Sequence, residues 1–567
     1  MTYDYVIVGG GSAGAVLANR LSAGSATVAL FEAGPDTPPE DVPDVIQDSY
    51  PGRSYFDPRF HWTNLRVYTR SPKWNDGRAK PSKLEQARVM GGGSSINGQF
   101  AVRGLPADYD DWEAMGLKGW GWEGMLPYFR KLERDQDFSG ELHGQDGRIP
   151  IRRVFPKDWA PFTQAMLAAT NAQGYGYGYD YNGSFEDAAY PMPLSNENDK
   201  RVSTALGYLD RTTRSRGNLR IFANAEVKQL ILDGLRVTGI EVRLEGKLQK
   251  VQGKEVIVSS GALHSPAILL RAGIGPAAHL RERGIEVVND LPGVGENLTD
   301  HPHLAFGAHL KPNARIGRTQ RRHIYMGVRY SSGVADCHRG DMLLMPVNRA
   351  GWHRLGMTMG ALNVCVNKSY SQGTVRLASS DPGVEPIVDL NLASDYRDLA
   401  RLVDGFKRMV RLMDSPEVKP FVNTWFLAGY TDEVRALSVP RFSTWVKTAA
   451  AAFMLDLSPL TRNLVTRMKF PPYGRAQEMS KDDEVIAEWV KDTVWSGWHV
   501  SGTCKMGSGG DPMAVLDERC RVRGMQGLRV VDASIMPSIV AANTNISTIA
   551  IAEKAADLIL EDRRANG

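Results

Sequence analysis

The sequence predicts an α/β protein in which a doubly wound, Rossmann-like domain is joined to a smaller domain built on an antiparallel sheet with helices. The first observation is a strand, glycine turn, helix and second strand in succession over residues 3–32. The second is a return to buried strand and helix patterns at residues 528–560. The third is a change to alternating apolar stretches and helical segments between about residues 305 and 480. We therefore expect a discontinuous first domain made of residues 1–155, 196–305 and 485–567, and a second domain made of residues 156–195 and 306–484.

The opening segment carries the G-x-G-x-x-G spacing of a dinucleotide-binding turn. Gly9 permits the tight turn, Gly11 lets the backbone approach a pyrophosphate, and Gly14 allows close packing of helix and strand. The start of the following helix offers free N–H groups to phosphates. Glu32 ends the second strand, where a carboxylate accepts a bond from a ribose hydroxyl. A glycine-rich turn without a ligand is the alternative. The motif does not separate FAD from NAD, and Glu32 disfavours the 2′-phosphate of NADP.

Length, charge and cysteine content set the broad class of the protein. At ~150 residues per domain, the 567 residues allow two to four domains. The 68 basic and 64 acidic residues nearly balance, which gives no nucleic-acid footprint. No apolar run reaches the ~18 residues of a membrane span, and no signal peptide follows Met1. The four cysteines have no metal-binding spacing, so we expect a reduced, cytoplasmic protein.

Two further glycine-rich segments carry polar side chains suited to a site. Residues 88–98 contain three consecutive glycines followed by two serines and Asn97, a pattern that fits either a helix start or a ligand contact. Residues 496–507 form a glycine-flanked loop with one histidine, His499. A buried strand ending at Asp532 and a helix capped near Asn543 follow.

These segments together resemble the glucose–methanol–choline (GMC) family of flavoprotein oxidoreductases, over essentially the whole chain. The five matching blocks are the N-terminal fingerprint and residues 88–103, 261–276, 499–507 and 528–557. Within the family, the chain is most similar to bacterial hydroxymethylfurfural and aryl-alcohol oxidases. The cues for this finer placement are the Gly-Gly-Gly-Ser-Ser-Ile-Asn-Gly segment, Trp498 before the histidine, Asn rather than His at 545, residues 36–40 and residues 349–353.

The resemblance implies an extended FAD with its ADP half on the fingerprint. Val227 is expected at the adenine, and Asp532 at the pyrophosphate or ribityl chain. Some relatives attach FAD to a histidine where this chain has Ile96, so we expect non-covalent binding. The cofactor-binding residues expected on this basis are Gly9, Gly11, Ser12, Ala13, Gly14, Glu32, Ala33, Val89, Met90, Gly93, Asn97, Gly98, Ala101, Val227, Trp498, Asp532, Ala533, Asn545 and Ile546.

The resemblance also assigns catalytic roles. Oxidation of an alcohol removes a proton from oxygen and a hydride from carbon, and a neutral imidazole can take the proton near neutral pH. His499 is the expected base, and Asn545 is expected to hold the same oxygen and direct the C–H bond toward flavin N5. The positive end of the helix that begins at 544–545 would favour an anionic reduced flavin. Trp498 and Val500 are expected in the substrate pocket.

Other histidines receive no chemical role at this stage. A lone histidine in a glycine loop is more often structural than catalytic, and only the family match favours His499. His264, His301, His303 and His353 are expected to be structural. The pair His301 and His303 lacks an acid or cysteine to complete a metal site, so no metal is predicted.

The expected function is oxidation of primary aromatic or furanic alcohols to aldehydes, and of hydrated aldehydes to acids, with O2 reoxidising the flavin to give H2O2. One alternative is a dehydrogenase of the same family that passes electrons from choline or another alcohol to a quinone. Another is a flavin-binding protein that does not oxidise alcohols. The expected partners are a small alcohol and O2 or another acceptor, with no nucleic acid and no membrane span; the oligomeric state is not readable.

Overall fold

Two seven-stranded sheets organise the part of the chain that the computed structural model describes, residues 2–74, 79–317, 320–469 and 473–566. The strands are β1 Thr2–Val8, β2 Val28–Phe31, β3 Arg66–Tyr68, β4 Ser82–Lys83, β5 Glu133–Asp135, β6 Ile149–Arg152, β7 Ala188–Pro191, β8 Leu194–Glu197, β9 Lys200–Arg201, β10 Leu219–Phe222, β11 Glu226–Asp233, β12 Arg236–Leu244, β13 Lys247–Val258, β14 Ile274–Gly275, β15 Asn289–Asp290, β16 Pro302–Leu310, β17 Met326–Tyr330, β18 Met342–Val347, β19 Met359–Val366, β20 Thr374–Arg376, β21 Ile387–Asp389, β22 Val422–Ala428, β23 Trp495–Ser496 and β24 Leu528–Val530.

The helices lie between and behind these strands. They are α1 Ser12–Leu21, α2 Asp44–Gln47, α3 Gly52–Tyr55, α4 Gly93–Ile96, α5 Pro106–Ala114, α6 Trp122–Leu132, α7 Pro161–Ala172, α8 Thr204–Gly207, α9 Arg211–Arg214, α10 Gly261–Arg271, α11 Ala277–Glu282, α12 Arg354–Thr358, α13 Tyr396–Met413, α14 Asp432–Ser438, α15 Phe442–Leu457, α16 Pro459–Lys469, α17 Tyr473–Met479, α18 Asp483–Thr493 and α19 Thr544–Asn566. Within the described ranges, none of these helices is both long and apolar enough to cross a membrane.

The first sheet has the order β10-β2-β1-β13-β12-β11, with β24 also paired to β13. The pairs β10–β2, β2–β1, β1–β13 and β13–β24 are parallel, whereas β11, β12 and β13 form an antiparallel meander. β2 is buried throughout, as expected for a central parallel strand covered on both faces. Helices α1 and α19 pack against each other, so the two ends of the chain meet on this sheet.

The turn between β1 and α1 has the close contacts that its glycines predict. Gly9 has φ +106°, and a Cβ there would lie 2.4 Å from the carbonyl oxygen of Ser259. A Cβ on Gly14 would lie 1.9 Å from the carbonyl oxygen of Gly9. Both positions therefore require glycine for the backbone path of the turn.

The second sheet is antiparallel, in the order β22-β16-β19-β18-β17-β7, with β23 paired to β16. Strand β16 is buried along its whole length, and the amphipathic helix α13 packs on β19 and against α7 and α18. The prediction of an α/β protein with a dinucleotide-type sheet and a second antiparallel sheet is confirmed.

The second sheet crosses two of the predicted domain limits. β16 begins at Pro302, before the limit at 305, and β23 lies after the limit at 484. β16 joins the second sheet by pairing with β19 and β22, and β23 joins it by pairing with β16 at Pro302–Ser496, beside the loop that holds His499. The division into domains stays a prediction.

Candidate active site

One continuous cavity of about 600 Å³ joins the glycine turn of the first sheet to the loop around His499. A volume of this size lies within the range of small-molecule and cofactor sites. At one end it is lined by Gly9, Gly11, Ser12 and Glu32, and at the other by residues of the second sheet. The two ends of the chain therefore contribute to a single site.

The glycine end of the cavity fits the nucleotide half of an FAD. The N-terminus of α1 opens on the cavity at Ser12, and its first turn has no acidic residue that would repel a phosphate. The Glu32 carboxylate accepts bonds from the N–H groups of Gly10 at 2.9 Å and Gly34 at 2.8 Å, which fix its orientation. Burial raises the pKa of Glu32 to about 7, against the lowering effect of these two bonds.

The second glycine segment provides a flat opening in the cavity wall. Gly93 begins α4, and no atom lies within 4 Å of the position that a Cβ there would occupy. Asn97 and Gly98 continue the wall. Backbone exposed in this manner fits a planar ring system, as the resemblance to flavoproteins implies.

Most of the predicted cofactor residues line the cavity, and five do not. Those on the wall are Gly9, Gly11, Ser12, Ala13, Glu32, Ala33, Gly93, Asn97, Gly98, Val227, Trp498, Asp532, Ala533 and Asn545. Those behind the wall are Gly14, Val89, Met90, Ala101 and Ile546, of which the last four are at most 3 % exposed. The side chains of Val89, Met90, Ala101 and Ile546 pack into the core, and Gly14 lies against the carbonyl of Gly9; a cofactor contact for these five stays a prediction.

The Asp532 side chain is directed at protein groups. It accepts bonds from the N–H of Gly261 at 2.8 Å and from Ser265 Oγ at 2.5 Å, both at the start of α10, and from the N–H of Ser534 at 2.8 Å. The carboxylate therefore holds the start of α10 and the chain after β24 at the cavity. Asp532 can meet a cofactor through its backbone.

A buried carboxylate orients the loop that carries His499. Asp300 accepts bonds from the N–H groups of His499 and His301, each at 2.8 Å, and from Ser496 Oγ. Burial raises the pKa of Asp300 to about 6, although these three bonds lower it. Trp498, which lies between Ser496 and His499 in the chain, has φ +60°, a left-handed conformation that a bulky residue rarely adopts. The loop is thus held in one strained conformation that exposes the imidazole of His499 to the cavity.

A chain of hydrogen bonds defines the tautomer of His499. His301 Nε2 lies 3.1 Å from the carbonyl oxygen of Val540, so this nitrogen carries a proton and donates it. The Nδ1 atoms of His301 and His499 are 2.9 Å apart, so in neutral rings the proton of this bond belongs to His499. The Nε2 atom of His499 is then a lone-pair acceptor. Its neighbour is Asn543 Nδ2, at 2.7 Å.

Burial keeps these imidazoles uncharged. It lowers the pKa of His499 to about 4. Burial, followed by the neighbouring His499 and His303, lowers the pKa of His301 well below its usual range. Burial and His499 lower the pKa of His303 to about 3. At neutral pH His499 is therefore uncharged, and its Nε2 electron pair accepts the bond from Asn543 Nδ2 at the cavity wall.

The amide beside His499 belongs to Asn543, so the prediction that Asn545 shares the substrate oxygen with His499 is corrected. Asn545 Oδ1 accepts a bond from Ser12 Oγ at 2.8 Å, at the start of α1. The two asparagines flank the start of α19, and their side chains diverge there. Sequence reasoning also missed His301 and Asp300, whose partners at His499 lie almost 200 positions along the chain.

Aromatic side chains line the cavity near His499. Tyr55, Phe56, Tyr430 and Trp495 surround Trp498, with ring centroids of neighbouring pairs 4.8–6.2 Å apart. Edge-to-face and stacked arrangements at these distances are favourable and rigid. Trp498 and Val500 both line the cavity, where the substrate was expected.

A second polar cluster lies apart from this cavity. Glu133, Asp135 and His143 bring three potential metal-ligating atoms together among the described residues. Arg103 and Arg153 already bind the two carboxylates. Burial opposes a charge on His143, but its bonds to Asp135, Asp180 and Glu133 raise its pKa to about 10. The cluster is an internal network of ion pairs.

Comparisons with known proteins agree with this geometry. The GMC oxidoreductase family models match residues 3–303 and 369–552. The chain is 40% identical to a 5-(hydroxymethyl)furfural oxidase of Methylovorus sp. (strain MP688), over 98% of both chains. It is 33% identical to an oxygen-dependent choline dehydrogenase of Vibrio vulnificus, over 98% of this chain and 94% of the relative.

A solved structure shares the fold. Pyridoxine 4-oxidase from Mesorbium loti superposes with a TM-score of 0.79 at 26% identity, covering 98% of this chain and 99% of that one. The GMC oxidoreductases bind FAD, and the glycine turn, Glu32 and the opening at Gly93 fit that cofactor here. The chain therefore belongs to the GMC oxidoreductase family and is an FAD-dependent alcohol oxidoreductase.

Proposed function

We propose that the chain oxidises primary alcohols with an aromatic or furan ring to aldehydes, and hydrated aldehydes to acids, with O2 as the final acceptor and H2O2 as product. The observation that carries the proposal is the neutral His499 beside an amide donor, in the same cavity as the dinucleotide turn. FAD supplies the hydride acceptor when it is bound.

His499 and Asn543 both act on the alcohol oxygen, in different roles. The Nε2 lone pair of His499 accepts the hydroxyl proton, while Asn543 Nδ2 donates a hydrogen bond to the oxygen as negative charge develops on it. The bond from His499 Nδ1 to His301 Nδ1 keeps the reactive nitrogen free of a proton beforehand. Proton transfer leaves a positive charge on the imidazole of His499, whose partner His301 is neutral. The negative charge that develops on the alkoxide balances this charge.

The aromatic wall favours a neutral ring as the substrate body. Trp498 and its neighbours present apolar faces and edges to the cavity. Glu85 lies behind this wall, where Arg435 Nε is 3.3 Å from its carboxylate and the Arg435 guanidinium lies over the Tyr430 ring at 4.6 Å. A cation of the protein already occupies that position, so a quaternary ammonium gains little there. The name of the 40% identical relative, a hydroxymethylfurfural oxidase, supports the same substrate class.

Anaerobic mixing with benzylic, furanic, aliphatic and choline alcohols tests this substrate class. We expect the visible absorbance of the oxidised flavin to disappear fastest with benzylic and furanic alcohols. Bleaching by choline or aliphatic alcohols alone would reject the proposal.

The second candidate is a dehydrogenase of the same family that passes electrons to a quinone. The 33% identity to a protein named a choline dehydrogenase favours this class, while that name gives oxygen rather than a quinone as the acceptor. Oxygen consumption decides between the two. An oxidase consumes one O2 per aldehyde formed, whereas a dehydrogenase leaves the flavin reduced in air until a quinone is added.

We also propose that FAD is held without a covalent bond. Ile96 is an aliphatic side chain in α4, 3 % exposed, and it offers no nucleophile to the flavin. Acid precipitation should release all of the yellow cofactor into the supernatant. Flavin retained in the protein pellet would contradict this.

A further inference from the structure

We propose that Arg349, assisted by His323, is a binding site for a carboxylate on the substrate, so that hydroxymethyl and formyl derivatives of aromatic or furan carboxylic acids are substrates of the chain. This inference rests on the proposed function, and it adds a second recognised group to the substrate.

Arg349 lines the active-site cavity with hydrogen-bond donors to spare. Its Nε donates to the carbonyl oxygen of Gly351 at 3.0 Å, and its guanidinium lies 4.0 Å from the centre of the Tyr50 ring. Among the described residues, no carboxylate lies within ion-pair distance of it. A planar guanidinium with two free NH2 groups matches the two oxygens of a carboxylate.

His323 adds a second polar group to this end of the cavity. It lines the cavity beside the Tyr50 and Phe100 rings, with centroids 5.9 and 6.1 Å away. Its Nδ1 is buried and has no hydrogen-bond partner among the residues that the structure describes. Since this nitrogen is enclosed by protein, the rest of the imidazole ring is what a carboxylate would meet in the cavity.

The charges around Arg349 favour an anion. Arg201 and Arg322 are buried. Arg201 donates to the carbonyl oxygen of Asn97 at 2.7 Å, and Arg322 donates to the carbonyl oxygen of Gly98 at 2.8 Å. The acid that faces this group, Asp48, is bound by Arg321 at 2.7 Å. This end of the cavity therefore has an excess of positive charge, and of Arg201, Arg322 and Arg349 it is Arg349 that lines the wall.

The loop that carries Arg349 is held in place before any substrate binds. The N–H of Asn348 donates to the carbonyl oxygen of His323 at 2.7 Å, and Thr163 Oγ1 donates to Asn348 Oδ1 at 2.8 Å. On the other side, Trp352 Nε1 donates to the carbonyl oxygen of Ser438 at 2.7 Å. Binding thus requires little ordering of the arginine, which increases the net affinity.

The sheet register places the carboxylate site and the catalytic site on one wall. Met345 pairs with Asn363, which pairs with Ala305 on the strand that also carries His303, and all four residues line the cavity. Arg349 follows the end of β18 at Val347, and Met345, Val347 and Arg349 all line the cavity. A two-ended substrate can therefore place its alcohol at His499 and its carboxylate at Arg349.

The reactions balance without a further reactant. R–CH2OH and O2 give R–CHO and H2O2, with two electrons and two protons passing from the alcohol to oxygen. The hydrate R–CH(OH)2 and O2 give R–COOH and H2O2 in the same manner. In both, the carboxylate on R takes no part in the chemistry and only binds.

The test compares an acid with its uncharged ester in the FAD-loaded enzyme. We would measure kcat/KM for 4-(hydroxymethyl)benzoate and its methyl ester in the wild type, Arg349→Gln, Arg349→Lys and the control Arg354→Gln, which removes an exposed positive charge from α12. Arg349→Gln should lower kcat/KM for the acid about 30-fold, which is about 2 kcal/mol. It should change the ester less than about 3-fold, Arg349→Lys should retain part of the preference, and Arg354→Gln should retain all of it.

A binding measurement gives a second reading. Unreactive 4-methylbenzoate should perturb the flavin spectrum of the wild type, and its Kd should rise in Arg349→Gln but not in Arg354→Gln. Equal losses for acid and ester, or an unchanged Kd, would overturn the carboxylate site. If neither alcohol reduced the wild-type flavin, the proposed function would fail, and the Kd comparison would still decide the role of Arg349.

Discussion

Replacing Asn543 by alanine removes the hydrogen-bond donor that lies 2.7 Å from His499 Nε2. Loss of one donor to a developing oxyanion costs about 3–4 kcal/mol, so the rate of anaerobic flavin reduction should fall roughly 100- to 1000-fold. FAD content should stay near that of the wild type, because the amide points at the imidazole rather than at the glycine turn. Stopped-flow mixing with an aryl alcohol measures the rate, and the absorbance ratio of flavin to protein measures the FAD content.

Asn545→Ala is the matched control two residues away. It removes the bond from Ser12 Oγ at the start of α1, so it should weaken FAD binding while the reduction rate of loaded enzyme changes less than about 10-fold. A large loss of reduction rate in Asn545→Ala, with near-normal reduction in Asn543→Ala, would refute the assignment of Asn543 and restore the sequence prediction.

Three other predictions concern His499, its support and the nucleotide end. Since burial lowers the pKa of His499 to about 4, the neutral base is present above that pH. The reduction rate should be constant from about pH 5 to 8 and fall by half near pH 4. A rate that falls by half near pH 6.5 would contradict the burial argument. His301→Leu removes the acceptor for His499 Nδ1–H, so reduction should slow about 10- to 100-fold with an unchanged flavin spectrum; a wild-type rate would show that the tautomer needs no such support. Glu32→Gln replaces one of the two oxygens that accept bonds from the Gly10 and Gly34 N–H groups by an NH2 donor. When the enzyme is stripped of FAD and titrated with it, the Kd for FAD should be about 10-fold higher or more. An unchanged Kd would contradict this role of Glu32.

Local sequence patterns were sufficient for the nucleotide end of the site. Gly9, Gly14 and Glu32 act within one strand–helix–strand unit, and their spacing alone carries the geometry that the structure has. The loop of His499 was found through its resemblance to a family motif, since a lone histidine between glycines has no distinctive physical pattern.

The partners of His499 could not be predicted from local pattern. Asn543 and Asn545 lie on either side of the start of α19, and only the path of the chain into that helix decides which amide reaches the imidazole. His301 and Asp300 reach the loop because β16 pairs with β23, a contact between segments almost 200 residues apart. Neither periodicity nor spacing contains that information.

The most direct test of the account is the reductive half-reaction of His499→Ala. The variant should fold, bind FAD and keep its flavin spectrum, because the side chain is not part of the glycine turn. Its anaerobic reduction by an aryl alcohol should be at least about 100-fold slower than that of the wild type. Reduction of the loaded variant at a near-wild-type rate would contradict the role of His499 as the base.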